Sequence, residues 1–154
     1  MPIEIDVLDA RWKRMANFQQ KIEVAHTLSL SKADAKKQTT LLLADDKTLK
    51  VLNKAWRGKN KPTNVLSFPA PTAMRVPRGQ TKPLGDIALS YDTLAKEAKA
   101  AKITIADHMV HLVVHGILHL VGHDHTEDAD AEKMERREIR ILAKLGIANP
   151  YVLE

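Results

Sequence analysis

Six of the seven histidines in this chain lie between positions 108 and 125. The densest part reads His115-Gly116-Ile117-Leu118-His119-Leu120-Val121-Gly122-His123-Asp124-His125. His115 and His119 are four apart, so on a helix they stand one above the other on one face. Two imidazoles in that relation reach a single metal ion. Gly122 lets the chain turn, because glycine takes backbone conformations that other residues avoid. The turn can swing His125 back toward the helix as a third ligand. His111 and His108 remain as alternative ligands or as supports behind a ligand, and His123 can substitute for His125. Asp124 can accept a proton or orient a neighbouring ligand. With no cysteine in the chain, disulfide partners and thiolate sites are excluded, and a metal must use imidazole, carboxylate and water.

His108, His111, His115 and His119 fall within about 80° of one another at ~100° per residue. The rest of the stretch from Ile103 to Val121 is mostly Ile, Leu, Val, Met and Ala, which predicts a helix buried on most sides. Burying several unpaired imidazoles is costly, which favours a metal site over ordinary core histidines. The spacing H-x-x-x-H-x-x-G-x-x-H also occurs in the metzincin zinc proteases, whose general-base Glu follows the first His. Gly116 occupies that place here. The metal cage is present and the protease base is not.

Other elements must position this helix. Ile3, Ile5 and Val7 alternate with polar residues and predict a strand at 3–8. Met15, Phe18, Ile22 and Ala25 recur at helical spacing and predict a helix from Trp12 to Leu30. Residues 39–44 read as a buried strand. Asp45 or Asp46 can cap the next helix, because a carboxylate accepts from the free N–H groups at a helix start. That helix runs through Leu49, Leu52 and Trp56 to Gly58. A turn-rich basic loop follows, then a strand at 64–68, a long proline-rich loop over 69–84, and a strand at 85–90. Ser90 is a cap candidate for a helix over 91–101. Thr126 is one for the last helix, whose apolar side is Met134, Ile141, Leu142 and Leu145 and which Gly146 ends. Trp56 and Phe68 are expected in the core, with base stacking as the alternative. The order predicts one α+β domain over residues 1–154. It is a small four-stranded mixed sheet packed with helices, with a zincin-like central helix bearing the histidines.

The net charge is +5 over 154 residues, but its distribution says more. Residues 47–85 carry nine basic side chains and no acidic one, a candidate anion-binding surface. The start of the chain lacks the basic residues and apolar run of a signal peptide. No run reaches the length of a membrane span. The expectation is a cytoplasmic protein with no membrane partner.

Four stretches resemble one family. They are the histidine segment 115–125, Asn53-Lys54-Ala55-Trp56-Arg57-Gly58, Thr63-Asn64-Val65-Leu66-Ser67-Phe68-Pro69, and Leu84-Gly85-Asp86-Ile87-Ala88-Leu89-Ser90. In sequence, order and length they are similar to the bacterial YbeY proteins. The resemblance implies a metal-dependent endoribonuclease specific for single strands. Its work would be ribosomal RNA maturation, at the 3′ end of the small-subunit RNA, and ribosome quality control. It implies one Zn2+ per chain on His115, His119 and His125, and marks Arg57 as a functional arginine. The implied partners are single-stranded or ribosomal RNA and the ribosome or its small-subunit assembly factors. Asn60 and Asn64 stand where many relatives carry Asp, so neither is assigned a catalytic carboxylate role.

The residues give that implication a chemistry. Three neutral imidazoles leave zinc an open position for water, whose pKa falls toward neutrality. Arg57, planar and permanently charged, can hold the oxygens of a phosphate in two parallel hydrogen bonds. Lys59 and Lys61, with the rest of the basic stretch, can track the backbone of a single strand. Two other classes stay open: a non-catalytic ribosome-assembly module with a structural zinc, and a metallopeptidase. If residues 47–82 dominate RNA binding, replacing Lys59 and Lys61 together lowers both the affinity and the slope of its dependence on salt. An unchanged slope moves the binding face elsewhere.

Overall fold

Side chains of β2 (Gln38–Ala44) alternate between two cores. Leu41 and Leu43 belong to the larger, Leu42 and Ala44 to the smaller. That is the period-two sorting of a strand buried on both faces. β1 (Ile3–Val7) and β4 (Pro83–Ser90) flank β2 in parallel, and β3 (Val65–Pro69) runs antiparallel along β4. The order β1-β2-β4-β3 makes the four-stranded mixed sheet the sequence predicts and leaves β3 at an edge. The computed structural model describes residues 3–71, 76–122 and 128–151. Among them are α1 (Phe18–Ser29), α2 (Lys32–Ala35), α3 (Asp46–Arg57), α4 (Tyr91–Ala101), α5 (Ile105–Leu120) and α6 (Asp128–Lys144). The whole is a single small α+β domain. No single helix among the described residues is long and apolar enough to cross a membrane.

The expected helix from Trp12 to Leu30 is two elements. Ala10–Arg14 forms a 3₁₀ turn capped by Asp9, and α1 begins only at Phe18, after Asn17 in the left-handed region at φ 55°. The break lets Trp12 turn inward, fully buried, with its indole N–H donating to the Ala44 carbonyl at 2.9 Å. The short α2 was not expected. Asp45 caps α3 through Thr48 N–H at 2.9 Å, and Gly58 at φ +69° ends it. Ser90 precedes α4 as expected, but its hydroxyl donates to Asp46 at 2.6 Å instead of capping.

α5 packs over the sheet with α1, α4 and α6 around it. Thr104 caps it, its hydroxyl accepting from Asp107 N–H at 3.0 Å. Met109, Val110, Leu112, Val113, Val114, Ile117, Leu118 and Leu120 are all buried. The helix lies close on the sheet at Gly116. A Cβ there would meet Ile87 Cγ2 and Ser67 Oγ, each at 3.1 Å. Ser67 Oγ donates to the Gly116 carbonyl at 3.0 Å, tying β3 to α5.

Gly85 is the second close approach. Its φ is +153°, and a Cβ would stand 2.6 Å from the Phe68 carbonyl oxygen and 2.7 Å from Leu120 Cδ2. Backbone paired in a sheet gives way poorly. Gly85→Ala is therefore expected to destabilise the fold by on the order of 3 kcal/mol, combining backbone strain and overpacking. Urea unfolding measures it, and a loss below ~1 kcal/mol would mean that β3 and α5 separate easily.

Candidate active site

Sixteen residues of α5 leave one stripe unclosed, and that stripe holds His108, His111, His115 and His119. Successive ring centroids are 5.8, 6.4 and 4.7 Å apart. The last pair converges most, with Nε2 of His115 and Nε2 of His119 3.1 Å apart. His108 is turned elsewhere. Its Nε2 lies 2.9 Å from Glu97 Oε1, and Glu97 also accepts from Asn64 Nδ2 at 3.0 Å. The seventh histidine, His26, is a core residue on Thr39 Oγ1, and burial lowers its pKa.

Behind His115 stands Glu138 of α6, fully buried. Its carboxylate accepts a short hydrogen bond from His115 Nδ1 and another from the Tyr151 hydroxyl. His111 Nε2 lies 3.4 Å from the same carboxylate and 3.3 Å from Tyr151 Oη. Burial pushes the Glu138 carboxyl up, but the hydrogen bonds from His111, His115 and Tyr151 outweigh it and bring it down to about 2. Burial first, and then the bond to Glu138, push the Tyr151 hydroxyl above its usual range. The sequence reading missed Glu138, although a signal for it exists. Met134, Glu138, Ile141 and Leu142 share the buried stripe of α6, and a carboxylate on an apolar stripe requires a partner.

α3 and the edge strand complete a cleft. The turn at Gly58 ends α3 just after Trp56 and Arg57. Both side chains, with Thr63, Asn64, all of β3, His115 and His119, line one cavity of about 520 Å³. Arg57 and His115, 58 positions apart in sequence, thus line the same opening. Trp56 corrects an expectation: it is 70% exposed, not core, and its ring meets Phe68 at 5.5 Å. Phe68 does pack on the smaller core. Lys59 and Lys61 lie beside this cleft in a second depression of about 330 Å³, which Arg57, Thr63 and Asn64 also line. Arg57 therefore borders both.

The donors present fit a metal. His115 gives Nδ1 to a carboxylate, which leaves Nε2 as the acceptor nitrogen facing His119. Two nitrogens on one tetrahedral zinc at about 2.0–2.1 Å stand roughly 3.3 Å apart, close to the observed separation. Among the described residues no group of three His, Cys, Asp or Glu assembles around a common point. His123, Asp124 and His125, and the cap candidate Thr126, lie outside the described residues.

A helix-borne histidine pair that shares a cleft with an arginine, on a small mixed sheet, defines a class of α+β protein with a candidate metal centre beside a basic surface. The comparisons narrow the class. The family model for endoribonuclease YbeY matches residues 6–146. An endoribonuclease YbeY from Erythrobacter litoralis is 44% identical over 159 residues, covering 98% of each chain. One from a Ruegeria species is 44% identical over 167 residues, covering 100% of this chain and 98% of its own. The solution structure of TM1509 from Thermotoga maritima shares the fold, with a TM-score of 0.62 at 24% identity over 93% of this chain and 88% of that one. The chain belongs to the endoribonuclease YbeY family, metal-dependent hydrolases that act on RNA.

Proposed function

We propose that this chain is a zinc-dependent endoribonuclease that cuts single-stranded RNA in the cytoplasm. In this reading it acts in maturation of the 3′ end of small-subunit ribosomal RNA and in ribosome quality control, alongside the ribosome or its assembly factors. The observation that carries the reading is the one cleft that Arg57, Trp56, His115 and His119 line together.

His115, His119 and His125 hold one zinc ion per chain in this reading. When bound, zinc supplies Lewis acidity toward a phosphoryl oxygen and a water. Arg57 meets the non-bridging oxygens of the reacting phosphate, where negative charge develops. Lys59 and Lys61 in the adjoining depression hold the next stretch of backbone. Trp56, exposed on the cleft wall, offers a face on which an unpaired base stacks, worth about 1–3 kcal/mol per base. A paired base has no such face to give, which favours single strands. His111 supports the carboxylate behind His115, and His123 and Asp124 serve beside the third ligand.

Purified protein is expected to carry about one equivalent of zinc, on the logic of ligand count. Combined His115→Ala and His119→Ala should abolish it, and full retention of metal would remove these histidines from the site.

Arg57→Lys tests the arginine. Lysine keeps the charge and loses the planar fork. Stability and metal content are expected to stay normal, while the rate of cleavage at saturating RNA falls ~10²-fold or more. If Arg57 only caps α3, a role worth under ~1 kcal/mol, the rate stays near normal. Metal-loaded protein that binds single-stranded RNA without cutting it would support the assembly-module reading instead.

A further inference from the structure

Glu138 belongs to a helix that contributes nothing to the described cleft walls, and Tyr151 lies beyond the end of that helix. Both nevertheless reach the histidines of α5, Glu138 at His115 and Tyr151 at His111. The Tyr151 hydroxyl donates to the Glu138 carboxylate, and so does His115 Nδ1. Tyr151 is itself set in place: its N–H donates to Asn149 Oδ1 at 2.8 Å, and its ring meets His111 edge-on at 5.6 Å. Glu138 has no exposed surface, whereas Tyr151 is 38% exposed. The chain thus runs from solvent through a phenol and a buried carboxylate to an imidazole on the cleft.

We propose that Tyr151 and Glu138 form a latch that fixes the tautomer and ring orientation of His115, so that the segment after α6 sets the cation affinity of the cleft. This rests on the reading of His115 as a metal ligand. Imidazole binds a cation through one nitrogen only when the proton sits on the other. Glu138 draws that proton to Nδ1 and turns Nε2 toward His119. A carboxylate suits the position because both of its oxygens accept, and three donors converge on it from two segments: His111 and His115 on α5, Tyr151 after α6. Tyr151 holds one oxygen and so directs the other at His115. Partners of this kind behind a metal histidine are commonly worth 10–100-fold in affinity.

Two variants separate this from a plain packing role. In Glu138→Gln one oxygen becomes an NH₂ and the carboxylate's charge is lost, so the pull that holds the His115 proton on Nδ1 weakens. Tyr151→Phe keeps the ring against His111 and removes only the hydroxyl. Zinc titration against a chromophoric chelator is expected to show affinity falling 10–100-fold for Glu138→Gln and several-fold for Tyr151→Phe. Nitrogen-15 NMR of metal-free protein should show His115 as the Nδ1–H tautomer in the parent and a shift toward Nε2–H in both variants. A packing role alone leaves the tautomer of folded Tyr151→Phe unchanged. Parental zinc affinity and parental tautomer in that variant overturn the latch, even if Glu138→Gln fails to fold. His115→Ala is the control. If it loses zinc while Tyr151→Phe keeps full affinity, the latch alone fails. If it keeps zinc, the reading of His115 as a ligand fails and takes the latch with it.

Discussion

The contact on which the architecture turns is the seat of α5 on the sheet at Gly116. A helix carrying four imidazoles must still bury most of its circumference to hold a domain together. Here the buried side chains from Met109 to Leu120 supply that adhesion. Gly116 brings the helix within reach of Ile87 and Ser67, and Ser67 locks the height through the Gly116 carbonyl. The histidine stripe is then left facing sideways, past the edge strand β3, instead of into the core. β3 is an edge of the sheet, and Arg57 and Trp56 from the end of α3 line the cleft together with it. A bulkier residue at position 116 would lift the helix and move His115 and His119 relative to Arg57.

Electrostatics divide along the same line. The acid-free stretch from Lys47 onward contributes the end of α3, the basic turn and β3, whose residues line much of the cleft. Of the carboxylates that approach the histidines, Glu138 stays behind them, and Glu97 lines the adjoining depression with Lys59 and Lys61 instead of the cleft itself. Glu138 is buried against His115, and Glu97 is engaged by Asn64 and His108. Negative charge is thereby used to orient imidazoles without opposing an anionic ligand in the opening. Remote ion pairs serve the frame. Arg11 bridges Asp9 and Asp92 at 2.6 and 2.7 Å, joining the loop after β1 to the start of α4, and its hydrogen bonds hold both carboxyls below their usual range.

How much of this the sequence reveals depends on how local the cause is. Strands β1 to β4 were legible because alternation in β1, and the short apolar runs bounded by turn residues in the others, are properties of neighbours in sequence. The cap at Asp45, the stop at Gly58 and the buried face of α5 were legible for the same reason. The break between Trp12 and Phe18 was not, because the indole is drawn inward by a carbonyl on β2, 32 residues away. Trp56 was misread as core because its type suggests burial, and only the edge position of β3 explains why it stays exposed. The convergence of His115 with His119 followed from spacing, and so did their candidacy as ligands. The partner of His115 did not, since α6 must first be docked before Glu138 can be seen to face it. The third candidate ligand, His125, falls outside the described residues.

Gly116 also bears on which chemistry the cleft suits. A metallopeptidase of this ligand spacing needs a carboxylate immediately after the first histidine. In this fold that position points at Ile87 and Ser67, where even a Cβ is crowded. A Glu there would enter the sheet and not the cleft, so the lack of that base follows from the packing and is not a single-residue accident. The described cleft walls carry a guanidinium, two imidazoles, hydroxyls, an amide and an aromatic face, and no carboxylate. Such a lining stabilises negative charge far better than it removes a proton. A phosphodiester brings negative charge from the start and gains more on the way to cleavage, whereas a peptide bond starts neutral. The same glycine that seats the helix therefore fits the cleft to an anionic backbone, and it separates this site from the proteases whose histidine spacing it shares.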